Sequence, residues 1–304
     1  MRLAVLADVH DNLLALEAVV EDAMRNAADG FIAAGDYLMR GPFPQESVQL
    51  LRSLDARMVQ GNTDGYAVDL ASGRAPPARY TSKQWASSRW TCRHVDQEIL
   101  DFLASLPEQA VVCLDGVTRI RVIHGAPDNP IGRLLPDRDA QALHWFRRAG
   151  FLACGEEPPA LTPRLSAIDD PVVVCAHTHI PWSQRNGDQL VLNPGAVSGA
   201  LNEDPRAQYA LLTWNDDGWQ VEHRAVEYDL GQLRRAYRSS GYLKEGGALA
   251  RVFLITVETG RNVIAPFFSH IARVAAEAGC GQSSVIRDAV WQQAVDTFVW
   301  PDGS

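Results

Sequence analysis

The sequence of 304 residues predicts an α/β fold. Short apolar runs typical of buried strands alternate with stretches whose apolar residues recur at helical spacing, three times in succession from the first residues onward. Each of these apolar runs ends in polar residues. Strands that alternate with helices form βαβ units, and α/β sheets bind their ligands beyond the carboxyl ends of the strands.

The first predicted strand covers residues 3–7 and runs directly into Asp8-Val9-His10. In extended backbone, side chains two residues apart point to the same side, so we expect Asp8 and His10 to reach one point. A carboxylate oxygen beside an imidazole nitrogen is the beginning of a metal site. The apolar spacing that follows predicts a helix over residues 12–25.

The next two strands end in the same way. The second, over residues 31–34, ends in Gly35-Asp36, and the third, over 57–60, ends in Gly61-Asn62-Thr63-Asp64. A helix over 45–54 joins them.

Residues 66–107 interrupt this alternation, with helices predicted over 83–90 and 96–106. We interpret Trp85 and Trp90 in this segment as packing residues rather than as a platform for stacking bases, because aromatic side chains are most often buried.

Two further apolar segments lead to histidines. A hairpin of strands over 110–114 and 119–123, turning at Asp115-Gly116, delivers His124. A strand over 171–175 runs into Ala176-His177-Thr178-His179. The remaining elements are predicted as a helix over 140–148, a strand over 189–192, a hairpin over 208–213 and 219–223, and a mostly helical region from about 231 with amphipathic stretches over 264–278 and 284–298.

The composition limits the class of protein. A net charge of −9 argues against an extended nucleic-acid surface, although it does not exclude a phosphate-bearing substrate. No apolar run approaches the ~20 residues of a membrane helix, and the apolar N-terminal run is too short for a signal peptide. The odd number of dispersed cysteines, five in all, indicates reduced thiols, so we expect a cytoplasmic protein.

Seven polar residues stand at the ends of apolar runs: Asp8, His10, Asp36, Asn62, His124, His177 and His179. These are too many for one ion but suit two divalent ions that share a carboxylate. In such a two-metal site a bridging water becomes hydroxide near neutral pH and attacks phosphorus in line. Nitrogen and oxygen ligands without thiolate favour Mn²⁺, with Fe, Zn²⁺, Co²⁺ or Ni²⁺ as alternatives.

This ordered series of five motifs, over roughly residues 1–225, resembles the calcineurin-like metallophosphoesterase superfamily. The resemblance implies a four-layer αββα sandwich of two mixed β-sheets flanked by helices. It assigns Asp8, His10 and His179 to one metal, and Asn62, His124 and His177 to the other, with Asp36 bridging. We therefore predict a metallophosphoesterase domain over 1–230 and a helical C-terminal extension over 231–304 that packs on or beside it.

Three positions depart from the family pattern. One is Ala176, which replaces the usual glycine before the first histidine of the last motif, a small change that a negative φ tolerates. Thr63 stands where many members carry a general-acid histidine, and threonine cannot act as an acid near neutral pH. This departure resembles the small bacterial phosphodiesterase branch. Met39 replaces an aspartate of the protein phosphatases, whereas Arg40 is kept and could clamp phosphate in a bidentate contact or form a surface salt bridge. Thr63 could hydrogen-bond a phosphate oxygen, and we expect Asp64 to orient its loop.

The sequence therefore predicts a dinuclear phosphodiesterase acting on a small or nucleotide-like diester, with Asp36, Arg40, Asn62, Thr63 and Asp64 as catalytic candidates. A phosphomonoesterase or protein Ser/Thr phosphatase is one alternative. A metal-binding scaffold with little activity, which engages a partner through its helical tail, is another. The C-terminal helices could also pack on the sandwich, cover the cleft or form a homo-oligomer.

Overall fold

Two five-stranded β-sheets lie at the centre of the computed structural model, which describes residues 1–114, 118–215, 218–280 and 286–301. The strands are β1 (Arg2–Leu6), β2 (Gly30–Ala33), β3 (Arg57–Met58), β4 (Gln109–Leu114), β5 (Thr118–Ile123), β6 (Val172–Val174), β7 (Trp182–Asn186), β8 (Gln189–Asn193), β9 (Ala207–Asn215) and β10 (Gly218–Val226).

Helices connect these strands and continue after the last one. Within the described ranges they are α1 (Leu13–Arg25), α2 (Pro44–Ser53), α3 (Asn62–Ala71), α4 (Ala78–Thr81), α5 (Ala86–Arg93), α6 (Gln97–Ser105), α7 (Ala140–Arg148), α8 (Leu161–Arg164), α9 (Leu230–Ser239), α10 (Tyr242–Thr259), α11 (Ile264–Glu277) and α12 (Asp288–Thr297). A short 3₁₀ helix, Lys83–Trp85, leads into α5.

Both sheets are mixed. The first has the order β10-β9-β1-β2-β3, in which β1, β2 and β3 are parallel, β9 is antiparallel to β1, and β10 is antiparallel to β9. The second has the order β4-β5-β6-β8-β7, with β5, β6 and β8 parallel at its centre. Parallel central strands place their carboxyl ends at one edge of each sheet, where the motif residues follow.

Alternation along β1 shows how the layers form. Leu3 and Val5 face a core shared by the two sheets, whereas Ala4 and Leu6 face a core shared with α1 and α2. The second sheet behaves likewise: Val172 and Val174 point to the first sheet, and Val173 points to the helices of its other side. The predicted four-layer αββα sandwich of two mixed sheets is therefore confirmed.

Four elements in the described ranges were not predicted: the short helices α4 and α8, helix α3 and strand β7. Helix α3 begins at the Asn62 motif itself, where a ligand-bearing loop was expected, and its apolar face is short. Strand β7 is an edge strand paired only with β8, and its central residues are polar, so it lacks the apolar run of a buried strand. The predicted turn at Asp115-Gly116, residues 216–217 of the second turn, and residues 284–285 of the last predicted helix lie outside the described residues.

The C-terminal helices pack against the sandwich. Trp90 of α5 lies in one apolar cluster with Tyr237 of α9 and Tyr242 of α10. A second cluster joins α10, α11 and α12. Helix α10 is broken at Gly247, whose φ of 63° and ψ of −143° are not helical. The division into 1–230 and 231–304 stays a prediction. In the described part of the chain, no helix combines the length and the apolar composition that crossing a bilayer requires.

Candidate metal centre

The seven predicted ligands lie together at the carboxyl ends of the central strands. Asp8 and His10 follow β1, Asp36 follows β2, and Asn62 is the first residue of α3. From the second sheet, His124 follows β5, and the loop after β6 carries the other two histidines.

One group combines Asp8 and His10 with His179, whose candidate ligand atoms all lie within 4.8 Å of one another. The His179 Nε2 atom is 3.3 Å from Asp8 Oδ1 and 3.3 Å from His10 Nε2. All three residues are buried.

The other group combines Asp36, His124 and His177 within the same limit of 4.8 Å. The Oδ1 atom of Asn62 lies 3.2 Å from His124 Nε2, so the amide belongs to this group. Each group takes residues from both sheets. The first sheet supplies Asp8, His10 and Asp36, and the second supplies the remaining histidines.

Asp36 lies between the two groups. Its Oδ2 is 3.7 Å from His10 Nε2, and its Oδ1 is 3.4 Å from His124 Nε2. One carboxylate oxygen therefore faces each group, which is the geometry that a bridging ligand requires.

Two carboxylate oxygens show that the site suits cations. Asp8 Oδ1 and Asp36 Oδ2 are buried, and neither has a hydrogen-bond partner among the described residues. An unpaired buried carboxylate oxygen is costly unless a cation neutralises it. Together with imidazole nitrogens and the Asn62 amide oxygen, these atoms form a donor set that fits two divalent ions.

Backbone carbonyls orient three of the histidines. The Nδ1 atoms of His10, His124 and His179 lie 3.1, 2.7 and 2.8 Å from the carbonyl oxygens of Leu38, Ala34 and Gly199, respectively. A carbonyl can only accept, so each Nδ1 must carry the proton. This tautomer leaves the Nε2 lone pair directed into the site, as in most metal-binding histidines.

The backbone conformation differs from our expectation. Asp8 and His10 have φ values of 54° and 47°, so they adopt left-handed rather than extended backbone. Their side chains converge as predicted, but through a tight turn after β1. Asp36, His177 and His179 also have positive φ, between 57° and 69°. Left-handed backbone costs non-glycine residues about 1–2 kcal/mol each, which is typical of functional sites.

Electrostatic interactions within the groups oppose the effect of burial. Burial disfavours ionised Asp36, but the neighbouring His124 holds its pKa well below the usual range. Burial lowers the pKa of His177 to about 4, and it also lowers that of His10. For His124 burial has the same tendency, yet attraction to Asp36 raises its pKa to about 9. His10 and His177 are thus neutral at pH 7. His124 without a bound metal ion carries a second ring proton and is positively charged.

Two buried carboxylates hold the loop that carries Asp36 and Arg40. Asp64 accepts hydrogen bonds from the backbone N–H groups of residues 36, 37 and 38, and also from that of Gly61. Asp11 Oδ2 accepts from those of residues 39, 40 and 41. Six consecutive N–H groups are therefore fixed by two side chains, and Asp64 lies where an orienting residue was expected.

The other two candidates occupy different surroundings. The Thr63 hydroxyl donates to the Leu38 carbonyl at 3.0 Å, and the Thr63 N–H donates to Asp36 Oδ1 at 2.8 Å. Arg40 places Nη1 3.4 Å from His179 Nε2, so its guanidinium lies beside the first group.

Sequence reasoning missed three positioning residues. Asp11 directly follows the first motif, and a further acidic residue at that point was the available sequence signal. Tyr237 donates to the Arg40 carbonyl, and the Phe253 ring lies 5.5 Å from the Arg40 guanidinium carbon. Both belong to the C-terminal helices, and no local pattern links them to Arg40.

The chain matches one protein family and is similar in sequence to several known proteins. The family model described as the calcineurin-like phosphoesterase superfamily domain matches residues 1–217. An uncharacterized protein of Methanocaldococcus jannaschii is 26% identical over 254 residues, which are 77% of this chain and 90% of the relative. The phosphodiesterase YfcE of Escherichia coli is 25% identical over 213 residues, which are 70% of this chain and 87% of YfcE.

A solved structure extends the similarity to three dimensions. The metallophosphoesterase from Sphaerobacter thermophilus superposes with a TM-score of 0.62 at 27% identity, covering 86% of this chain and 100% of that one. The family match spans most of the chain and includes both groups of candidate ligands. This protein belongs to the calcineurin-like phosphoesterase superfamily.

Proposed function

We propose that this protein is a dinuclear metal-dependent phosphodiesterase that hydrolyses a small or nucleotide-like diester. The observation that carries the proposal is the position of Asp36, with one oxygen toward His10 and the other toward His124. Asp8, His10 and His179 would hold one ion, and Asn62, His124 and His177 the other, with Asp36 between them. Two divalent ions supply Lewis-acid activation of water and of the phosphoryl oxygens.

The chain's own residues orient the ester. The Nε2 lone pair of His179 cannot bind a cation and accept a hydrogen bond from Arg40 together. When the site is loaded, the Arg40 guanidinium therefore has donors free for a phosphoryl oxygen. Its position beside the first group directs those donors toward the site.

The preference for diesters is supported by Thr63. Its hydroxyl already donates to the Leu38 carbonyl, so it offers no proton to a leaving oxygen. General acid help is worth ~10²–10⁴-fold, and its absence penalises poor leaving groups most. That YfcE is named a phosphodiesterase agrees with this proposal.

A phosphomonoesterase is the second candidate, and Arg40 favours it. A monoester carries an additional negative charge, which a guanidinium beside the metal groups would stabilise.

Steady-state hydrolysis of bis(p-nitrophenyl) phosphate and p-nitrophenyl phosphate, with Mn²⁺ and with a chelator, tests both candidates. We expect metal-dependent turnover with a higher kcat/KM for the diester. A higher value for the monoester would replace the first candidate by the second. Metal binding without turnover of either ester would contradict both and favour the scaffold alternative.

The matched controls are two histidine variants. His124→Ala removes a candidate ligand, whereas His144→Ala changes an exposed histidine of α7. Activity lost only in His124→Ala assigns the turnover to this centre rather than to a contaminating phosphatase.

Three finer assignments belong to the same proposal. Mn²⁺ is favoured by the nitrogen and oxygen donors. A cytoplasmic location is supported by five cysteines that are all free. Association into a homo-oligomer through the C-terminal helices is supported by Val299, a large apolar side chain just after α12 that is 87% exposed.

A further inference from the structure

A cleft of about 180 Å³ opens beside the metal centre. Arg40, Asn62 and Thr63 form the side that it shares with the centre. Its other walls come from α3, the 3₁₀ helix, α5, α10 and α11, so the C-terminal helices complete it. A group bound there would lie next to whatever the metal centre holds.

Four aromatic side chains line this cleft: Tyr66, Trp85, Phe253 and Phe268. Aromatic rings give favourable offset or edge contacts to another ring, beyond the burial of apolar area. A cavity of roughly 150 Å³ accommodates one benzene ring. The size and lining of the cleft therefore suit one flat aromatic ring.

A polar residue in the lining specifies the ring further. Gln84 lines the cleft, and its buried Oε1 has no hydrogen-bond partner among the described residues. A buried acceptor without a donor costs about 1–3 kcal/mol, so a ligand that supplies an N–H group there would be favoured. Nucleobases combine a flat aromatic ring with N–H donors, whereas a simple aryl group has only the ring.

We propose that this cleft binds the nucleobase of a nucleotide ester whose phosphate lies at the metal centre. This inference rests on the proposed phosphoesterase function and names its substrate class. It gives Trp85 a role in binding the base, which departs from its interpretation as a packing residue. Trp90 keeps that interpretation, since it is buried against Tyr242.

Three substrates that release the same p-nitrophenolate test the proposal: the p-nitrophenyl esters of methyl phosphate, phenyl phosphate and thymidine 5′-monophosphate. Because the leaving group is constant, differences in KM report on the other substituent. We expect KM to fall at least roughly tenfold from methyl to thymidine, the effect of one base–aromatic contact. Because the shared p-nitrophenyl ring could itself enter the cleft, equal KM values for the three esters would overturn the proposal when Phe268→Ala also leaves all three KM values unchanged.

Two variants separate the ring contact from the hydrogen bond. Phe268→Ala should raise KM roughly tenfold for the phenyl and thymidine esters and leave the methyl ester unchanged. Gln84→Leu keeps the side-chain size but removes the acceptor, and should raise KM about fivefold for the thymidine ester alone. Met24→Ala, which truncates an exposed residue of α1, is the matched control.

Calorimetry keeps this test independent of turnover. Thymidine 5′-monophosphate, phenylphosphonate and methylphosphonate are titrated into the Mn²⁺-loaded protein and into Phe268→Ala. Failure to hydrolyse any ester would contradict the proposed function. The cleft proposal would still be supported if thymidine monophosphate bound more tightly than methylphosphonate and if Phe268→Ala reduced that difference in affinity. Equal affinities would overturn the cleft proposal whatever the activity. Tighter binding of phenylphosphonate than of thymidine monophosphate would indicate an aryl ester instead.

Discussion

The metal centre and the aromatic cleft beside it are built in opposite ways. The candidate ligands are polar residues at strand ends; five of the seven are buried, and five of the seven have left-handed backbone. The cleft is lined mainly by helical side chains that pack by shape. In the proposed enzyme, the strand-end loops would hold the metal ions in place, and the helices around them would select the substrate.

Asp36→Asn is expected to affect the metal centre far more than the aromatic cleft. Loss of the bridging charge should reduce kcat/KM by about 10³-fold or more, because metal-based stabilisation is worth several kcal/mol and each 1.36 kcal/mol is tenfold. Binding of thymidine monophosphate through the cleft should weaken far less. Calorimetry and steady-state kinetics on one preparation check both, and retention of activity would remove Asp36 from the mechanism.

Asp64→Asn tests the support of the ligand loop. Its amide group would face backbone N–H donors, so we expect activity and metal affinity to fall by about 10–100-fold, as for other residues that orient ligands. The free energy of unfolding should fall by about 1–3 kcal/mol. Denaturant unfolding and metal titration measure these effects. Asp69→Asn, in the same helix but exposed, is the control, and equal effects of the two variants would argue against a specific role for Asp64.

Metal affinity should depend on pH because of His124. Its pKa of about 9 means that it holds a proton at lower pH, and a metal must displace that proton. Affinity should therefore fall about tenfold for each unit that pH decreases from 8 to 6, while His177, with a pKa of about 4, adds nothing there. Mn²⁺ titration at several pH values measures the slope. An affinity that stays constant over this interval would contradict the assignment of His124.

The smallest effect is expected where the helices meet the metal centre. Tyr237→Phe removes the hydroxyl that donates to the Arg40 carbonyl but keeps the ring. We expect kcat/KM for the diester to fall about fivefold, the effect of one hydrogen bond, with metal affinity unchanged. Tyr80→Phe, which also loses backbone hydrogen bonds, is the control. A loss of metal affinity in Tyr237→Phe would show that the helices support the centre itself.

The metal centre was more predictable from the sequence than the cleft. Apolar runs that end in Asp36, His124 or His177 are local patterns, and sheet geometry brings such strand ends together whatever the loops between them. Their convergence and the sandwich were therefore predictable. The left-handed backbone of Asp8 and His10 was not, because it depends on hydrogen bonds and packing that no local pattern specifies.

The cleft was beyond local reasoning for another reason. Tyr237 is 197 residues from Arg40 in sequence, and Phe253 reaches the same arginine only because α10 packs on α5. Apolar helix faces show that packing occurs, but they do not identify the partner. Gln84 likewise has an ordinary sequence context, and its unpaired buried oxygen is visible only in three dimensions.

The distribution of each candidate ligand group over both sheets has a consequence for the stability of the fold. Because each group draws residues from both sheets, each bound ion would act as a cross-link between the halves of the sandwich. Binding free energy would then add to folding free energy in proportion to the logarithm of metal concentration. Loss of metal would abolish activity and would also lower the free energy of unfolding, because the two sheets would no longer be cross-linked. The metal concentration would therefore determine both the amount of folded protein and its activity.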